Sequence, residues 1–320
     1  MDTTSFPPGR TDPSDQVSTV AGPFQPASID PLARHPISLR GSTVTNSEDS
    51  LPLPTHPLRN FLLGGGYSLR RRLVRNWLPR RLWMKLDLGR VTTMIVDRYG
   101  LEVRSGPFAG MRYPQDALGR ASALGPKLLG SYEQELVPTI ETLIRERFQT
   151  ILNIGAGEGY YAVGFALRSP ESLIRAYEVD SWQRRLCSRV ASANGVARRV
   201  VIEGACRLEE LEDGALGRVL LLSDCEGCEL DLLQPDRYPF LRRATLLVEL
   251  HDSAEPTTTS QILSRFARTH NAELISAEQR DPARYEELAG LPEGEARLVL
   301  WERTTGSWGL LRPRVDLPEK

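Results

Sequence analysis

The fold of this chain is decided by residues 150–160, which read TILNIGAGEGY. An apolar run at 150–154 leads directly into three closely spaced glycines, and a helix-like stretch begins at Tyr160. This order lets the backbone approach a ligand closely and aims the free amide groups of a helix N-terminus at it. The stretch therefore predicts a strand, a ligand-binding turn and a helix.

The glycine spacing narrows the class of ligand. A dinucleotide fingerprint would need its third glycine at position 160, where Tyr160 stands. The glycines at 155, 157 and 159 instead follow the pattern G-x-G-x-G. This pattern favours a ligand without a pyrophosphate, of which S-adenosylmethionine is the common one. A tight turn that binds no ligand remains an alternative.

The sequence on both sides of the glycines alternates strand and helix. Strands are predicted at 150–154, 173–179, 200–203, 218–223 and 244–250, and helices at 136–148, 160–168, 181–194, 227–233 and 257–269. Two later apolar runs, 272–277 and 297–301, would add two strands, of which the last would be antiparallel. The pattern predicts an α/β, Rossmann-like fold with a doubly wound, seven-stranded and mainly parallel sheet.

The second predicted strand ends in two carboxylates. Glu178 lies 23 residues after Gly155, where a carboxylate can accept hydrogen bonds from both hydroxyls of a ribose. Asp180 follows two residues later and could instead cap the next helix, which is a common role for Asp. Glu178 is therefore the predicted ribose-binding residue.

The fourth and fifth strands also end in polar side chains. Asp224 and Glu226 follow the fourth strand, and Glu249 and His251 end the fifth. The carboxyl ends of parallel strands share one edge of the sheet, so these side chains should converge beside the glycine loop. A neutral imidazole at His251 could accept a proton near pH 7, with Glu249 as a second candidate base. A helix N-cap or a core salt bridge remains an alternative for each carboxylate.

Four of these motifs resemble those of one known family. NIGAGEGYYAVGFAL, AYEVD, SDCEGCELDLL and VELH, in this order over residues 150–251, are similar to the FkbM-type branch of class I S-adenosylmethionine-dependent methyltransferases. The hallmark of that branch is a D-x-E-G-x-E stretch after the fourth strand. The resemblance implies S-adenosylmethionine as cofactor, the seven-stranded sheet with a reversed last strand, and O-methylation of a hydroxyl.

This reading assigns cofactor-binding roles to residues at the strand ends. The glycines would hold the methionine part, Glu178 the ribose, residues 204–206 the adenine, and Asp224 the methionine ammonium. The full predicted set is Asn153, Gly155, Ala156, Gly157, Glu158, Gly159, Tyr160, Glu178, Gly204, Ala205, Cys206 and Asp224. Asn153 stands where many class I enzymes have an acidic residue, and its amide could hydrogen-bond the loop instead.

A segment before the first strand has the features of a lid. Glycines at 125 and 130 bracket a short stretch that is followed by Tyr132 and Glu133, which could close over the cofactor. Capping of the next helix by Ser131 is the alternative.

The cysteines predict neither a metal site nor a disulfide framework. Cys225 and Cys228 form a CxxC, but a zinc site needs about four ligands and the other two cysteines lie singly elsewhere. Both thiols are expected to pack as small hydrophobic groups, with a metal or redox role as the alternative. No metal is predicted, and so few cysteines favour a reducing, cytoplasmic location.

The N-terminal part differs in composition from the rest. Residues 1–58 hold ten of the 23 prolines and show no apolar period, which predicts a disordered tail. Residues 59–90 form a basic amphipathic segment, broken at Pro79, that could cap the following domain or bind an anionic membrane or RNA. The chain has no apolar run long enough for a transmembrane segment, and it does not open with a secretory leader.

The remaining boundaries follow from the strand pattern. Residues 91–148 are predicted as an accessory part with a hairpin around residues 99–100, a connector and the lid helix. Residues 149–305 would form the methyltransferase domain, and 306–320 a C-terminal tail. The expected function is methyl transfer to a small-molecule hydroxyl, with no DNA partner and an undetermined oligomeric state. A catalytically silent binding module and a nicotinamide oxidoreductase are the alternatives.

Overall fold

The computed structural model describes residues 80–211, 215–252, 257–302 and 307–314. Its strands are β1 Thr150–Ile154, β2 Leu173–Tyr177, β3 Val200–Glu203, β4 Val219–Ser223, β5 Thr245–Leu250, β6 His270–Ser276 and β7 Ser307–Pro313. Its helices are α1 Arg80–Tyr99, α2 Leu124–Leu129, α3 Val137–Arg145, α4 Tyr160–Arg168, α5 Ser181–Ala193, α6 Glu229–Leu232, α7 Thr258–Phe266 and α8 Glu293–Val299.

All the strands belong to one seven-stranded sheet in the order β3-β2-β1-β4-β5-β7-β6. Strands β1 to β5 pair in parallel, and β7 runs antiparallel to both β5 and β6. The predicted α/β fold with a doubly wound, mainly parallel sheet is confirmed. The order reverses between β1 and β4, so the carboxyl ends of these two strands border the crevice in which open α/β sheets bind ligands.

Consecutive side chains of the central strands lie on opposite faces of the sheet, and both faces are buried. Ile151 belongs to the apolar cluster under α3, α4 and α5, and Leu152 to the cluster under α7. The opposite orientation of consecutive side chains in a strand explains this division. Because both faces are covered, β1 and β4 are mostly apolar and are buried along their whole length.

The predicted hairpin around residues 99–100 is wrong. Residues 80–99 form helix α1, and Gly100, with φ of +81°, follows its last residue. The β-branched residues that suggested a strand include Val91 and Ile95, which are one helical turn apart and pack with Val299 of α8. Tertiary packing therefore overrides local strand propensity, and the glycine ends a helix instead of turning a hairpin.

Two predictions near the C-terminus are also wrong. Residues 297–301, predicted as the last strand, include the end of helix α8. The last strand is β7 at 307–313, which lies within the predicted C-terminal tail 306–320 and beyond the predicted domain end at 305. Gly309 and Pro313 weaken the strand pattern of this segment, but its pairing with β5 buries Trp308, Leu310 and Leu311.

The predicted tail at 1–58 and most of the basic segment 59–90 lie outside the described residues. Helix α1 is described from Arg80 onward, and the predicted break at Pro79 lies outside the described residues. Leu88, near the end of the basic segment, packs against the apolar cluster that contains Val91 and Ile95. Within the part of the chain that the structure describes, no helix is long and apolar enough to span a membrane.

Candidate active site

The glycine loop is tied to the strands on either side of β1. The amides of Gly155 and Ala156 both donate to the carbonyl oxygen of Tyr177 at 2.9 Å, and the amide of Asp224 donates to that of Ile154 at 3.0 Å. Gly155 has φ of +75°, and a Cβ at this position would lie 1.6 Å from the carbonyl oxygen of Asp224. Glycine is therefore required here by the contact between two backbones.

The other two glycines of the loop have different surroundings. A Cβ at Gly159 would lie 2.7 Å from the Sγ atom of Cys187 on α5, so this glycine permits close packing of helices. A Cβ at Gly157 would meet no atom within 4 Å, although its φ is +52°. Gly157 is thus the glycine of the loop that faces open space beside the end of β1, where a ligand could lie.

The two carboxylates after β2 have separate roles. Glu178 accepts hydrogen bonds from the amide of Gly157 and the amide of Asp180, each at 2.8 Å. Asp180 accepts from the amides of Trp182 and Gln183 at 2.7 and 2.9 Å, and so it caps α5. The capping alternative for Asp180 is confirmed, and Glu178 lies beside the glycine loop as predicted.

Other predicted cofactor-binding residues lie at the same edge of the sheet. Gly204, Ala205 and Cys206 follow β3, which is parallel to β2. Asn153 lies inside β1 and is almost fully buried, and its Oδ1 atom has no hydrogen-bond partner. The side-chain oxygen of Asn153 therefore accepts no hydrogen bond from the loop.

Two predicted cofactor-binding side chains point into the protein instead. Glu158 is 2% exposed and forms a salt bridge with Lys127 on α2, which is 4% exposed. Tyr160 is 4% exposed, and its ring packs edge-on against the rings of Phe108 and Tyr132. Both side chains pack the loop onto the α1–α3 region, so a role of Glu158 and Tyr160 in cofactor binding would fall to their backbone groups and stays a prediction. No sequence pattern pointed to Lys127 as the partner of Glu158.

The predicted lid is packed down on α4. Glu133 is buried, its amide donates to Glu302 at 3.1 Å, and its carboxyl group accepts a hydrogen bond from the hydroxyl of Tyr161. Burial raises the pKa of Glu133 to about 8, and the nearby carboxylates of Glu249 and Glu302 add to the rise. The hydroxyls of Tyr161 and Tyr132 act in the opposite direction. Glu133 is consequently protonated in the folded protein at neutral pH.

We predict that this buried carboxyl group makes the protein less stable at alkaline pH. The folded-state pKa of about 8 lies above the ordinary value of 4.5, so the stability it contributes is complete below about pH 4.5 and is lost as the pH rises through 8. Replacing Glu133 by Gln keeps an acceptor for Tyr161 and removes the charge. Thermal melts at pH 6 and pH 9 should show the substitution raising Tm at pH 9 by roughly 3–6 °C more than at pH 6.

The exposed Glu273 on β6 provides the control for this experiment. Replacing Glu273 by Gln should change Tm equally at the two pH values. An equal change for Glu133→Gln as well would show that the Glu133 carboxyl group titrates in the folded protein as it does in the unfolded chain.

The side chains predicted to converge at the ends of β4 and β5 do so around His251. The Nε2 atom of His251 lies 3.3 Å from Glu249 Oε2, 3.7 Å from Asp224 Oδ1 and 3.7 Å from Glu226 Oε2. Its Nδ1 atom lies 2.9 Å from Oε1 of Glu229, which is fully buried. Glu229 was not singled out from the sequence, although it is the last residue of the DCEGCE stretch.

The protonation states in this cluster differ from those assumed for the sequence. Hydrogen bonds to Glu229 and Glu249 raise the pKa of His251 to about 10. Burial, together with the neighbouring Glu249, raises the pKa of Asp224 well above its usual range. The expectation that His251 is a neutral imidazole with an unperturbed pKa is therefore wrong for this arrangement of charges.

The loop that carries Asp224 and Glu226 is closed by a disulfide. Cys225 and Cys228 are bonded to each other and are therefore not free thiols, although both pack against the apolar cluster that contains Leu152, as expected. Glu226 has φ of +55° and Gly227 of +112°, so the short loop turns sharply between the two cysteines. Cys187 and Cys206 are free.

Comparisons with known proteins concern the fold alone. No protein-family model matches the chain, and no curated protein matches its sequence. Among solved structures, the chain is similar to the O-methyltransferase TomG of Streptomyces achromogenes in complex with SAM, at 13% identity and a TM-score of 0.40, over 58% of this chain and 81% of that one.

Two further solved structures have comparable values. A putative O-methyltransferase of Klebsiella pneumoniae matches at 13% identity and a TM-score of 0.39, over 78% of this chain and 97% of that one. Geranyl diphosphate C-methyltransferase of Streptomyces coelicolor A3(2) matches at 15% identity and a TM-score of 0.38, over 82% and 100%. At such values no function is transferred from these proteins to this chain.

Proposed function

We propose that this protein is an S-adenosylmethionine-dependent methyltransferase of the FkbM type that methylates a hydroxyl group of a small molecule or sugar. The observation that carries the proposal is the open space at Gly157, bordered by the carboxylate of Glu178. The glycine at this position leaves room that a side chain would fill, beside an acceptor for ribose hydroxyls.

Residues at different positions along the sheet edge would bind different parts of the cofactor. The loop at Gly155, Ala156 and Gly157 would hold the methionine part, and Glu178 the ribose. Residues 204–206 would flank the adenine. When bound, S-adenosylmethionine supplies an electrophilic methyl group, so the protein has only to position an acceptor oxygen in line and handle its proton.

We further propose that the acceptor approaches the cluster at the ends of β4 and β5. His251 and Glu249 lie 3.3 Å apart there, with Asp224 on the adjacent strand, and all three are partly exposed to solvent. An acceptor hydroxyl in this position would be close both to proton-binding groups and to the glycine loop. In this proposal Tyr132 and Glu133 form the wall of the pocket.

Calorimetric titration tests the proposal against its alternatives. S-adenosylmethionine and S-adenosylhomocysteine are expected to bind the full chain, and NADH is not. Binding of NADH alone would indicate a nicotinamide oxidoreductase, and binding of none of the three would indicate a catalytically silent module. A comparison of metabolites with and without the gene, searching for pairs that differ by one methyl group, would identify the acceptor.

Glu178→Ala is predicted to weaken binding of S-adenosylmethionine by about 1–3 kcal/mol, the usual scale for lost charge-assisted hydrogen bonds. Part of the loss arises because the amide of Gly157 loses its acceptor. Glu178→Gln should recover some of the affinity.

Asp180→Ala is the matched comparison, since Asp180 caps α5. It should lower Tm and leave the affinity within about twofold, because a lost N-cap costs about 1 kcal/mol of stability. The reverse result, with affinity lost in Asp180→Ala and kept in Glu178→Ala, would show that the ribose is bound elsewhere.

A further inference from the structure

The side chains around His251 are arranged about a point that none of them occupies. Three carboxylate oxygens, from Asp224, Glu226 and Glu249, lie 3.3–3.7 Å from the single atom Nε2 of His251. The ligand atoms of Asp224, Glu249 and His251 all lie within 4.8 Å of one another. The Nε2–H group of His251 is close enough to hydrogen-bond Glu249, at 3.3 Å, but one N–H group cannot reach all three oxygens with good geometry.

These distances suit ligands of a shared metal ion. Nitrogen and oxygen ligands bind divalent transition metals at about 2.0–2.2 Å, which places neighbouring ligand atoms roughly 3.0–3.5 Å apart. The observed distances from Nε2 to Glu249 and Asp224 lie at or slightly above this range. Small rotations of the carboxylates would bring them within bonding distance of one ion.

The Nδ1 atom of His251, which faces away from Asp224 and Glu249, is held by a carboxylate, as in known metal sites. Glu229 is fully buried, and its Oε1 atom lies 2.9 Å from Nδ1 of His251. A carboxylate that accepts the Nδ1 proton fixes the ring orientation, and a metal ion would bind Nε2 by displacing the proton that this atom carries in the metal-free protein. The amide of Cys225 donates to the same oxygen at 3.3 Å, so Glu229 is itself held in place.

One buried oxygen that faces the proposed ion lacks a hydrogen bond. It is Oδ1 of Asp224, the atom nearest to His251. Burying a carboxylate oxygen without a partner is costly, and a bound cation offsets that cost. Four carboxylates around one imidazole also leave the group with an excess of negative charge.

We propose that Asp224, Glu249 and His251 bind a divalent transition-metal ion, with Glu226 as a further, solvent-exposed ligand. An imidazole nitrogen combined with carboxylate oxygens favours ions such as Mn²⁺ or Zn²⁺ over Ca²⁺ and Mg²⁺. The sequence predicted no metal, because the ligands come from two strands and none is paired at a helical spacing. The site would place the ion where the proposed acceptor approaches, so its role in turnover rests on the proposed function.

The metal itself can be tested without cofactor or acceptor. The chelated full chain is titrated with Mn²⁺, which is followed by electron paramagnetic resonance, and with Zn²⁺ in a calorimeter. One ion should bind per chain, and Glu249→Gln and Asp224→Asn should each weaken binding at least tenfold. Glu229→Gln, a positioning variant, should weaken it by roughly 10–100-fold without changing the stoichiometry.

Asp252→Asn is the matched control. Asp252 lies next to His251 in the chain, but its carboxylate accepts from the amide and hydroxyl of Thr259 at 2.9 and 2.7 Å, outside the cluster. Its substitution should change metal affinity less than twofold. Circular dichroism checks that every variant is folded, and Glu249→Gln and Asp224→Asn each test the site if the other does not fold.

The result that would overturn the site is the absence of stoichiometric Mn²⁺ or Zn²⁺ binding, or binding that is unchanged in both Glu249→Gln and Asp224→Asn. S-adenosylmethionine affinity is measured in parallel on metal-free protein. Failure of metal binding with S-adenosylmethionine binding intact would reject the metal site alone. Metal binding without S-adenosylmethionine binding would reject the proposed function and keep the site.

Discussion

Gly157→Val is expected to abolish binding of S-adenosylmethionine while the protein remains folded. The Cβ at this position meets no protein atom within 4 Å, so the side chain would extend into the space proposed for the methionine part of the cofactor. We expect the affinity to fall at least 100-fold, equivalent to about 2.7 kcal/mol. Calorimetric titration measures the affinity, and circular dichroism checks the fold.

Gly195→Val separates this steric effect from backbone strain. Gly195 has φ of +69° and equally open surroundings, but it precedes β3 and so lies at the opposite edge of the sheet. Both variants should lose roughly 1–2 kcal/mol or more of stability, because side chains disfavour positive φ. Only Gly157→Val should lose cofactor affinity. If Gly157→Val and Gly195→Val bound S-adenosylmethionine with equal affinity, the main support for the proposed function would be removed.

Lys127→Met is expected to be the most destabilising of the substitutions considered for this protein. It leaves the carboxylate of Glu158 buried, with the hydroxyl of Ser122 at 3.4 Å as a weak remaining partner. Removing one partner of a buried ion pair typically costs about 3–5 kcal/mol. Thermal unfolding should show Tm lower by roughly 10 °C or more.

The double variant Lys127→Met with Glu158→Leu distinguishes an unpaired charge from lost packing. Apolar replacement of both partners is often neutral or stabilising, so most of the lost stability should return. Arg207→Met removes an exposed salt bridge to Glu210 and should cost less than about 1 kcal/mol. If the double variant is no more stable than Lys127→Met, Lys127 stabilises the protein through packing, including its contact with the Tyr132 ring at 4.5 Å.

The sequence predicted the fold well where burial and local pattern agree. Strands β1 and β4 are mostly apolar because both faces of the sheet are covered, and this signal is visible in the residues alone. It failed at residues 91–96, where β-branched side chains favour a strand in isolation but a helix packs better on α8. The prediction from sequence failed again at β7, because its pairing with β5, about sixty residues earlier in the chain, leaves no local trace in the sequence.

The candidate site, too, was predictable from the sequence only in part. The carboxyl ends of parallel strands lie at one edge of the sheet. This rule alone predicts that the glycine loop and Glu178 lie at that edge and that Asp224, Glu249 and His251 converge there. The partners of buried charges do not follow, since Lys127 and Glu158 are 31 residues apart and meet only when the loop packs on α2. The pKa of His251 likewise depends on Glu229, whose burial is a property of the folded protein.

The position of β7 between β5 and β6 affects how the protein folds during synthesis. During synthesis β6 emerges before β7, yet within the described sheet β6 pairs only with β7. Until residues 307–313 are available, β5 presents an unpaired, apolar edge that includes Leu246, Leu247 and Val248. Such an edge is a site for aggregation with other nascent chains. Ribosome-bound intermediates that end before residue 307 should therefore depend on chaperones, and release from them would follow the insertion of β7.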